Sequence, residues 1–231
     1  LTFNIDKLLS RGSGVSIRGH ASQMDLSSDG EQISYTTPIM SGLQAAVSYA
    51  PNGRESFDGF ETTASTIDSN IFAASAKYTG KAGDIGYRFG GGYTTSEEGA
   101  VTKEDDAQWM VGAAITQGPY QLSASFNKRE EANTGTVSTV DESDTISVGF
   151  KMSMGASTYS LAYSNTEASS EVAAVDGDNT SVFVLAMRRS LGKGVKWHNT
   201  LYYLDSENGG PTLAVEGNDG FALTTGIQVK F

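Results

Sequence analysis

The last eleven residues of the chain alternate in polarity without a break. One face carries Phe221, Leu223, Thr225, Ile227, Val229 and Phe231, and the other carries Ala222, Thr224, Gly226, Gln228 and Lys230. A period of two predicts a β-strand with one apolar face and one polar face. Because many segments of the chain repeat this pattern and the strand ends on an aromatic residue, we expect the apolar face to meet lipid.

The composition excludes helical membrane spans. Apolar residues make up 38% of the chain and the mean hydropathy is -0.27, and no run approaches the roughly 20 apolar residues that a spanning helix needs. A transmembrane barrel has a modest average hydropathy because its apolar residues alternate with polar ones. The chain has no Cys, so disulfides and thiolate metal sites are excluded. The predicted fold class is all-β, an antiparallel transmembrane β-barrel.

Strands and connections follow each other in a regular order. Alternation predicts eleven strands, near residues 30–37, 42–50, 70–79, 84–94, 107–116, 120–128, 143–153, 157–165, 180–190, 195–205 and 220–231. Short connections that contain Gly or Pro predict tight hairpins at residues 38–41, 80–83, 117–119, 154–156 and 191–194. Long acidic connections take turns with them at residues 51–69, 95–106, 129–142, 166–179 and 206–219. Bacterial barrels have short periplasmic turns and long extracellular loops, so we expect the last strand to end at the periplasmic rim.

The phase of the alternation predicts the outward side chains. They are Leu43, Ala45, Val47, Tyr49, Ile85, Tyr87, Phe89, Tyr93, Trp109, Val111, Ala113, Ile115, Tyr120, Leu122, Ala124, Phe126, Ile146, Val148, Phe150, Met152, Tyr159, Leu161, Tyr163, Val195, Trp197, Leu201 and Tyr203. Aromatic residues lie mostly at strand ends, where the girdles of a membrane barrel belong. A soluble β-sandwich or lectin is the alternative, but strands of about ten residues favour a membrane barrel.

The inward face is predicted to be polar and to line water. Its candidate pore-lining charges are Lys77, Arg88, Lys151, Arg188, Lys196, His198 and Lys230, with Gln44, Gln108, Gln121 and Asn127 among them. The phase of the strand at residues 180–190 is open, because Val182 and Val184 also fit the outward face; Arg189 would then replace Arg188. On the fourth strand Gly86, Gly90 and Gly92 all fall on the inward face and leave a strip of wall bare.

Residues 30–49 resemble the hairpin that follows the constriction loop in general diffusion porins of Gram-negative bacteria. The chain keeps Tyr35, Pro38 and Gly42 of that pattern and departs from it at Ser34, Thr36 and Leu43. The resemblance continues to the terminal strand and is closest to the alphaproteobacterial style of porin. It implies a homotrimer of barrels with about sixteen strands, each leaving an aqueous channel.

The resemblance also implies a division of the chain. Residues 1–28 would be the inward-folded constriction loop, and residues 29–231 the transmembrane strands with their turns and loops. The implied eyelet candidates are Asp6, Arg11, Arg18, His20 and Asp25. Arg11 and Arg18 have an equally good alternative, which is that they are solvated or paired with Asp6 and Asp25.

Eleven antiparallel strands cannot close a barrel, because bacterial single-chain barrels have even strand numbers. The porin resemblance assigns these strands to positions six to sixteen, so about five further strands are expected upstream. The chain begins on Leu1, with neither a start Met nor a signal peptide, which agrees with that expectation. The rival is a closed barrel of twelve strands in which residues 14–22 form the first.

The implied function is passive diffusion of small hydrophilic solutes and ions through the bacterial outer membrane, with outer-membrane lipid and lipopolysaccharide as partners. The alternatives are a narrow substrate-specific channel and a plugged barrel that acts as adhesin, structural anchor or phage receptor. The net charge of -11 disfavours nucleic acid, which needs clustered Lys and Arg. No enzyme activity and no cofactor are expected, although the acidic loops offer carboxylates for divalent cations. Those loops favour cations at the channel mouth, whereas the inward Lys and Arg oppose them.

Overall fold

The computed structural model describes residues 31–52, 69–97, 106–130, 142–169, 177–207 and 217–230. They form eleven β-strands, as the alternation predicted: β1 (Ile33–Thr36), β2 (Leu43–Asn52), β3 (Ser69–Ala82), β4 (Ile85–Glu97), β5 (Asp106–Gln117), β6 (Tyr120–Glu130), β7 (Glu142–Met154), β8 (Ser157–Ser169), β9 (Asp178–Gly192), β10 (Val195–Glu207) and β11 (Asn218–Val229). Within these ranges no helix is long and apolar enough to cross a membrane.

The strands form one antiparallel sheet in which each strand pairs with its neighbours in the sequence. The order runs from β1 to β11, so these two strands are the edges of the described sheet. Residues 1–28, which include the predicted constriction loop and the rival first strand at residues 14–22, lie outside the described residues. The prediction of further upstream strands therefore stays a prediction.

At one end of the sheet, where short connections were predicted, two residues join β3 to β4, β5 to β6, β7 to β8 and β9 to β10, and residues 37–42 join β1 to β2. Each turn contains or follows a glycine with positive φ, and these glycines are Gly42, Gly83, Gly118, Gly155 and Gly194. Such a φ is compatible with a tight hairpin and is unfavourable for residues with a Cβ. We call this end of the sheet the turn end, and the opposite one the loop end.

At the loop end the strands run further than their sequence pattern predicted. Pro51 and Asn52 belong to β2, Arg129 and Glu130 to β6, and residues 166–169 to β8, so their assignment to loops was wrong. The alternation ends earlier than the ladder because side chains here are polar on both faces. Once both faces of a strand are wet, polarity no longer marks the strand, although backbone pairing continues.

The two faces of the sheet differ in chemistry, as predicted. The outer face exposes large apolar side chains, with Val111 at 50%, Val148 at 45% and Leu161 at 54%. The inner face carries polar side chains that are buried in the loop half of the strands, among them Thr145, Ser164 and Thr166. Cross-strand register keeps each set on one side from β2 to β11.

Aromatic side chains form rows across the outer face near both ends of the strands. Towards the loop end, Tyr163, Phe183, Tyr203 and Phe221 follow each other on β8 to β11, with ring centroids 4.6, 6.2 and 4.7 Å apart. Towards the turn end, Tyr78 lies 6.0 Å from Tyr87, and Tyr120 lies 6.1 Å from Phe150. Paired aromatic rings at two levels are typical of the girdles of a membrane barrel.

The turn at Gly42 generates a first prediction. The Gly42 carbonyl accepts a 2.9 Å hydrogen bond from the Thr79 amide, and a Cβ on Gly42 would collide with the Thr79 carbonyl oxygen. We expect Gly42→Ala to lower the free energy of unfolding by at least about 2 kcal/mol. The control is Gly83→Ala, where a Cβ meets nothing within 4 Å and the positive φ alone costs roughly 1 kcal/mol. Equal losses in a urea titration of the lipid-refolded protein would contradict this account.

Adjacent small residues in the middle of β6 test the assignment of the faces. Ala124 lies on the outer face and is exposed, whereas Ser125 lies on the inner face across from Gly112. We expect Ala124→Arg to destabilise the lipid-refolded protein by roughly 2–4 kcal/mol, because it places a charge near the membrane midplane. Ser125→Arg should cost little, since its side chain extends over a glycine into water. If both variants unfold at the same urea concentration, the faces are assigned incorrectly.

Candidate functional site: the inner face of the sheet

A network of polar side chains covers the inner face towards the loop end. Gln108 Nε2 donates a 3.1 Å hydrogen bond to Asn127 Oδ1, and both residues are buried. The hydroxyl oxygens of Thr145 and Thr166 lie 2.9 Å apart, and those of Ser147 and Ser164 lie 2.8 Å apart. Because buried polar groups are costly unless they are hydrogen-bonded, these pairs hold the inner wall in one arrangement.

Six of the seven charges predicted to line a pore lie on described strands, on the inner face and in the turn half of each strand. The register places them there: Lys77 opposite Gln44, Arg88 opposite Thr79, Lys151 opposite Gln121, Lys196 opposite Gln228, and Arg188 opposite His198. The side chains of Lys77, Arg88 and Arg188 are exposed, and those of Lys151, Lys196 and His198 are half-buried. Lys230 follows β11, and its amide donates a 2.8 Å hydrogen bond to the Gly194 carbonyl.

The structure places Arg188, not Arg189, on the inner face. Val182 and Val184 are buried at 0% and 6% exposure, while Phe183 and Leu185 are exposed. Arg188 shares the parity of the two valines and lies opposite His198, whereas Arg189 lies opposite the outer residue Trp197. The inner face is therefore not uniformly polar. Part of it is an apolar patch formed by Ala162, Val182, Val184 and Tyr202, with Leu204 and Ala222 packed against it.

Two basic residues on the inner face, Arg129 and Lys81, were not predicted from the sequence. Arg129 lies opposite Gln108 on one side and Ser143 on the other, because β6 extends into what was predicted to be a loop. Lys81 shares the parity of Lys77 on β3; the predicted end of that strand, at residue 79, hid it. The polar alternation of Lys77, Thr79 and Lys81 was a sequence signal from which Lys81 could have been predicted.

Charge is segregated along the strands. In the described strands every carboxylate lies towards the loop end, and these are Glu97, Asp106, Glu130, Glu142, Asp144, Glu167, Asp178, Asp205, Glu207 and Asp219. The bases of the described strands lie in the turn half, except Lys128 and Arg129. Lys128 is on the outer face and forms ion pairs of 3.3 Å with Glu130 and 3.2 Å with Glu142. Several of these carboxylates had been assigned to loops and instead belong to strand ends.

The predicted eyelet and metal candidates remain largely outside the structure. Asp6, Arg11, Arg18, His20 and Asp25 all belong to residues that the structure does not describe. Within its described parts, no group of three or more His, Asp or Glu side chains is placed to hold a metal ion. Divalent cations at the acidic loops therefore stay a prediction.

Comparison with known protein families shows to which family the chain belongs. The model of a family described as Gram-negative porin matches residues 2–209. The chain belongs to the Gram-negative porin family. This membership places the porin in the bacterial outer membrane and makes the outer face of its sheet the lipid-facing side.

Solved structures show the same fold. The porin is similar to an anion-selective porin from Comamonas acidovorans, with a TM-score of 0.57 and 16% identity over 89% of this chain and 62% of that one. It is also similar to OprB of Pseudomonas putida, with a TM-score of 0.64 and 14% identity over 87% of this chain and 58% of that one. The outer membrane channel DcaP of Acinetobacter baumannii is similar too, with a TM-score of 0.57 and 12% identity over 85% of this chain and 61% of that one.

These similarities establish a transmembrane β-barrel fold and leave the function to be argued from the residues. The chain spans about three fifths of the length of these solved structures, between 58% and 62%. The comparison with curated proteins gives no match.

Neighbouring residues on β7 test which face is wet. The porin has no native Cys, so a single introduced thiol reports its own surroundings. We expect Lys151→Cys to react with a charged methanethiosulfonate reagent and to change the single-channel current, because thiolates form and react in water. Phe150→Cys, which points to lipid, should leave the current unchanged. A current change at Phe150→Cys but not at Lys151→Cys would reverse the inner and outer faces.

Proposed function

We propose that the porin forms a water-filled channel for the passive diffusion of small hydrophilic solutes and ions across the outer membrane. The observation behind this proposal is the chemical difference between the two faces of the sheet. Its outer face is apolar and exposed, while its inner face carries Lys77, Arg88, Lys151, Arg188 and Lys196, none of which forms an ion pair with a described residue. Unpaired charges need water, and a barrel of about sixteen strands encloses an aqueous lumen.

The assembly is part of the same proposal. We infer a homotrimer whose outer face contacts membrane lipid, with lipopolysaccharide around the loop end. The family resemblance and the aromatic rows at two levels support this placement. Exposed apolar side chains on every strand from β2 to β11 provide the surface that lipid and neighbouring subunits cover.

We also propose a narrow zone within the channel. In this proposal residues 1–28 fold inward as a constriction loop, with Asp6, Arg11, Arg18, His20 and Asp25 facing the eyelet. The inner face supports a restricted passage towards the loop end, since Ser164 and Val182 are both fully buried. Lys77, Arg88, Lys151, Arg188, Lys196 and His198 would line the wider part below. No catalytic step belongs to this function.

Swelling of liposomes that contain the purified porin tests the proposal. We expect neutral sugars to enter at rates that fall with their size and rise in proportion to their concentration, because hydrated solutes diffuse through an aqueous pore without binding. Rates that saturate for one sugar would instead favour a substrate-specific channel. The absence of both swelling and ion conductance would indicate a plugged barrel.

A further inference from the structure

Three cations of β3 and β4 form a compact group on the inner face. Arg88 lies directly opposite Thr79, so Lys77 and Lys81 are its diagonal neighbours on either side. Diagonal neighbours in an antiparallel pair are roughly 7–8 Å apart, within reach of long side chains. The group therefore concentrates positive charge on one small area of wall.

Glycines make that area concave. Gly86 lies opposite Lys81, Gly90 opposite Lys77 and also opposite Gly112 of β5. Without side chains at these positions the wall has an open depression of about 350 Å³, lined by Gln44, Lys77 and Arg88 among others. A second depression of about 250 Å³ is lined by Lys81, Arg88 and Thr116. Arg88 is the cation shared by both.

Carboxylates are remote from these cations. Lys77, Lys81 and Arg88 form no ion pair with a described residue, and the carboxylates of the strands lie at the loop end. The exception nearby is Asp84, which belongs to the turn that follows β3 and forms no ion pair with a described residue. Lys77 and Arg88 thus present positive charge to the lumen that no described side chain neutralises.

We propose that Lys77 and Arg88 form a binding station for phosphate and for small solutes that carry a phosphate group. Arginine offers a planar fork of N–H donors that matches phosphate oxygens, and lysine adds a point charge. Gln44 also lines the depression; its Nε2 donates a 3.2 Å hydrogen bond to the Thr37 carbonyl, and an amide group has a second N–H to donate. The station rests on the proposed channel function and gives it a solute class.

The exposure of the two cations also fits a channel. Ion pairs in contact with water are weak, and conduction requires that a bound ion can leave again. The station would raise the local concentration of phosphate-bearing solutes in the turn half of the pore without trapping them. The acidic strand ends at the loop end repel anions, so the local concentration of phosphate-bearing solutes rises only after they have passed the mouth of the channel.

Phosphate currents through the purified porin in planar bilayers test this inference. We expect the wild-type current carried by potassium phosphate to saturate with concentration, while the chloride current stays nearly linear. The double variant K77Q/R88Q should raise the half-saturating phosphate concentration roughly fivefold, since two exposed charge contacts are lost. The control K151Q/K196Q removes the same charge from the same face, away from the depression, and should leave the half-saturating phosphate concentration close to the wild-type value, whatever its effect on the total current.

A third variant distinguishes the effect of the depression's shape on phosphate binding from the effect of its charge. Gly90→Val fills the floor of the depression and leaves every charge in place, and a Cβ at Gly90 has ordinary contacts, with its nearest atom at 3.4 Å. We expect it to weaken phosphate saturation while the chloride current persists, which also reports that the variant has folded. A linear phosphate current in the wild type, or equal effects of K77Q/R88Q and K151Q/K196Q, would overturn the station. In either case intact chloride conductance would leave the channel function standing, whereas absent conductance would reject that function itself.

Discussion

The requirement that backbone N–H and C=O groups be paired inside lipid governs this molecule. A lipid-exposed strand has no water to bond with, so its polar groups must all meet those of adjacent strands. The antiparallel ladder from β1 to β11 meets this requirement for the paired strands. Once the ladder exists, side chains must alternate between two faces. The apolar outer face, the polar inner face and the placement of charge all follow from that geometry.

The sequence revealed this fold wherever its two faces meet different surroundings. In β5, Trp109, Val111 and Ile115 are separated by residues of the opposite face, and the strand was predicted within a residue of its bounds. Where both faces meet water, the contrast is lost. Arg129 was assigned to a loop for that reason, although β6 continues through it. In β9 the difference in polarity between the two faces did not indicate the phase of the strand, because Val182 and Val184 of the apolar patch lie on the inner face.

Parity alone assigned the pore-lining cations to the inner face, but their grouping needed register. The turn after Ala82 fixes the pairing of β3 with β4, and so brings Arg88 between Lys77 and Lys81. Across a long connection no such rule exists, so the approach of Gly112 to Gly90 was not predictable. The wall also shows how glycine acts in a strand. By omitting side chains beside two cations, it creates a concave surface that cations on a flat strand would lack.

The meander has a consequence for how the protein is assembled. Each described strand pairs with its neighbours in the sequence, and at the turn end only two to six residues separate the paired partners. Contacts of such short sequence separation cost little chain entropy to form, so hairpins are natural units of folding and can associate in chain order. The loop ends of these hairpins carry the carboxylates. With the loop end on the extracellular side, as the loop lengths predict, insertion from the periplasm would move a negatively charged edge across hydrocarbon. We then expect that translocation, rather than strand pairing, to be the slow step of assembly.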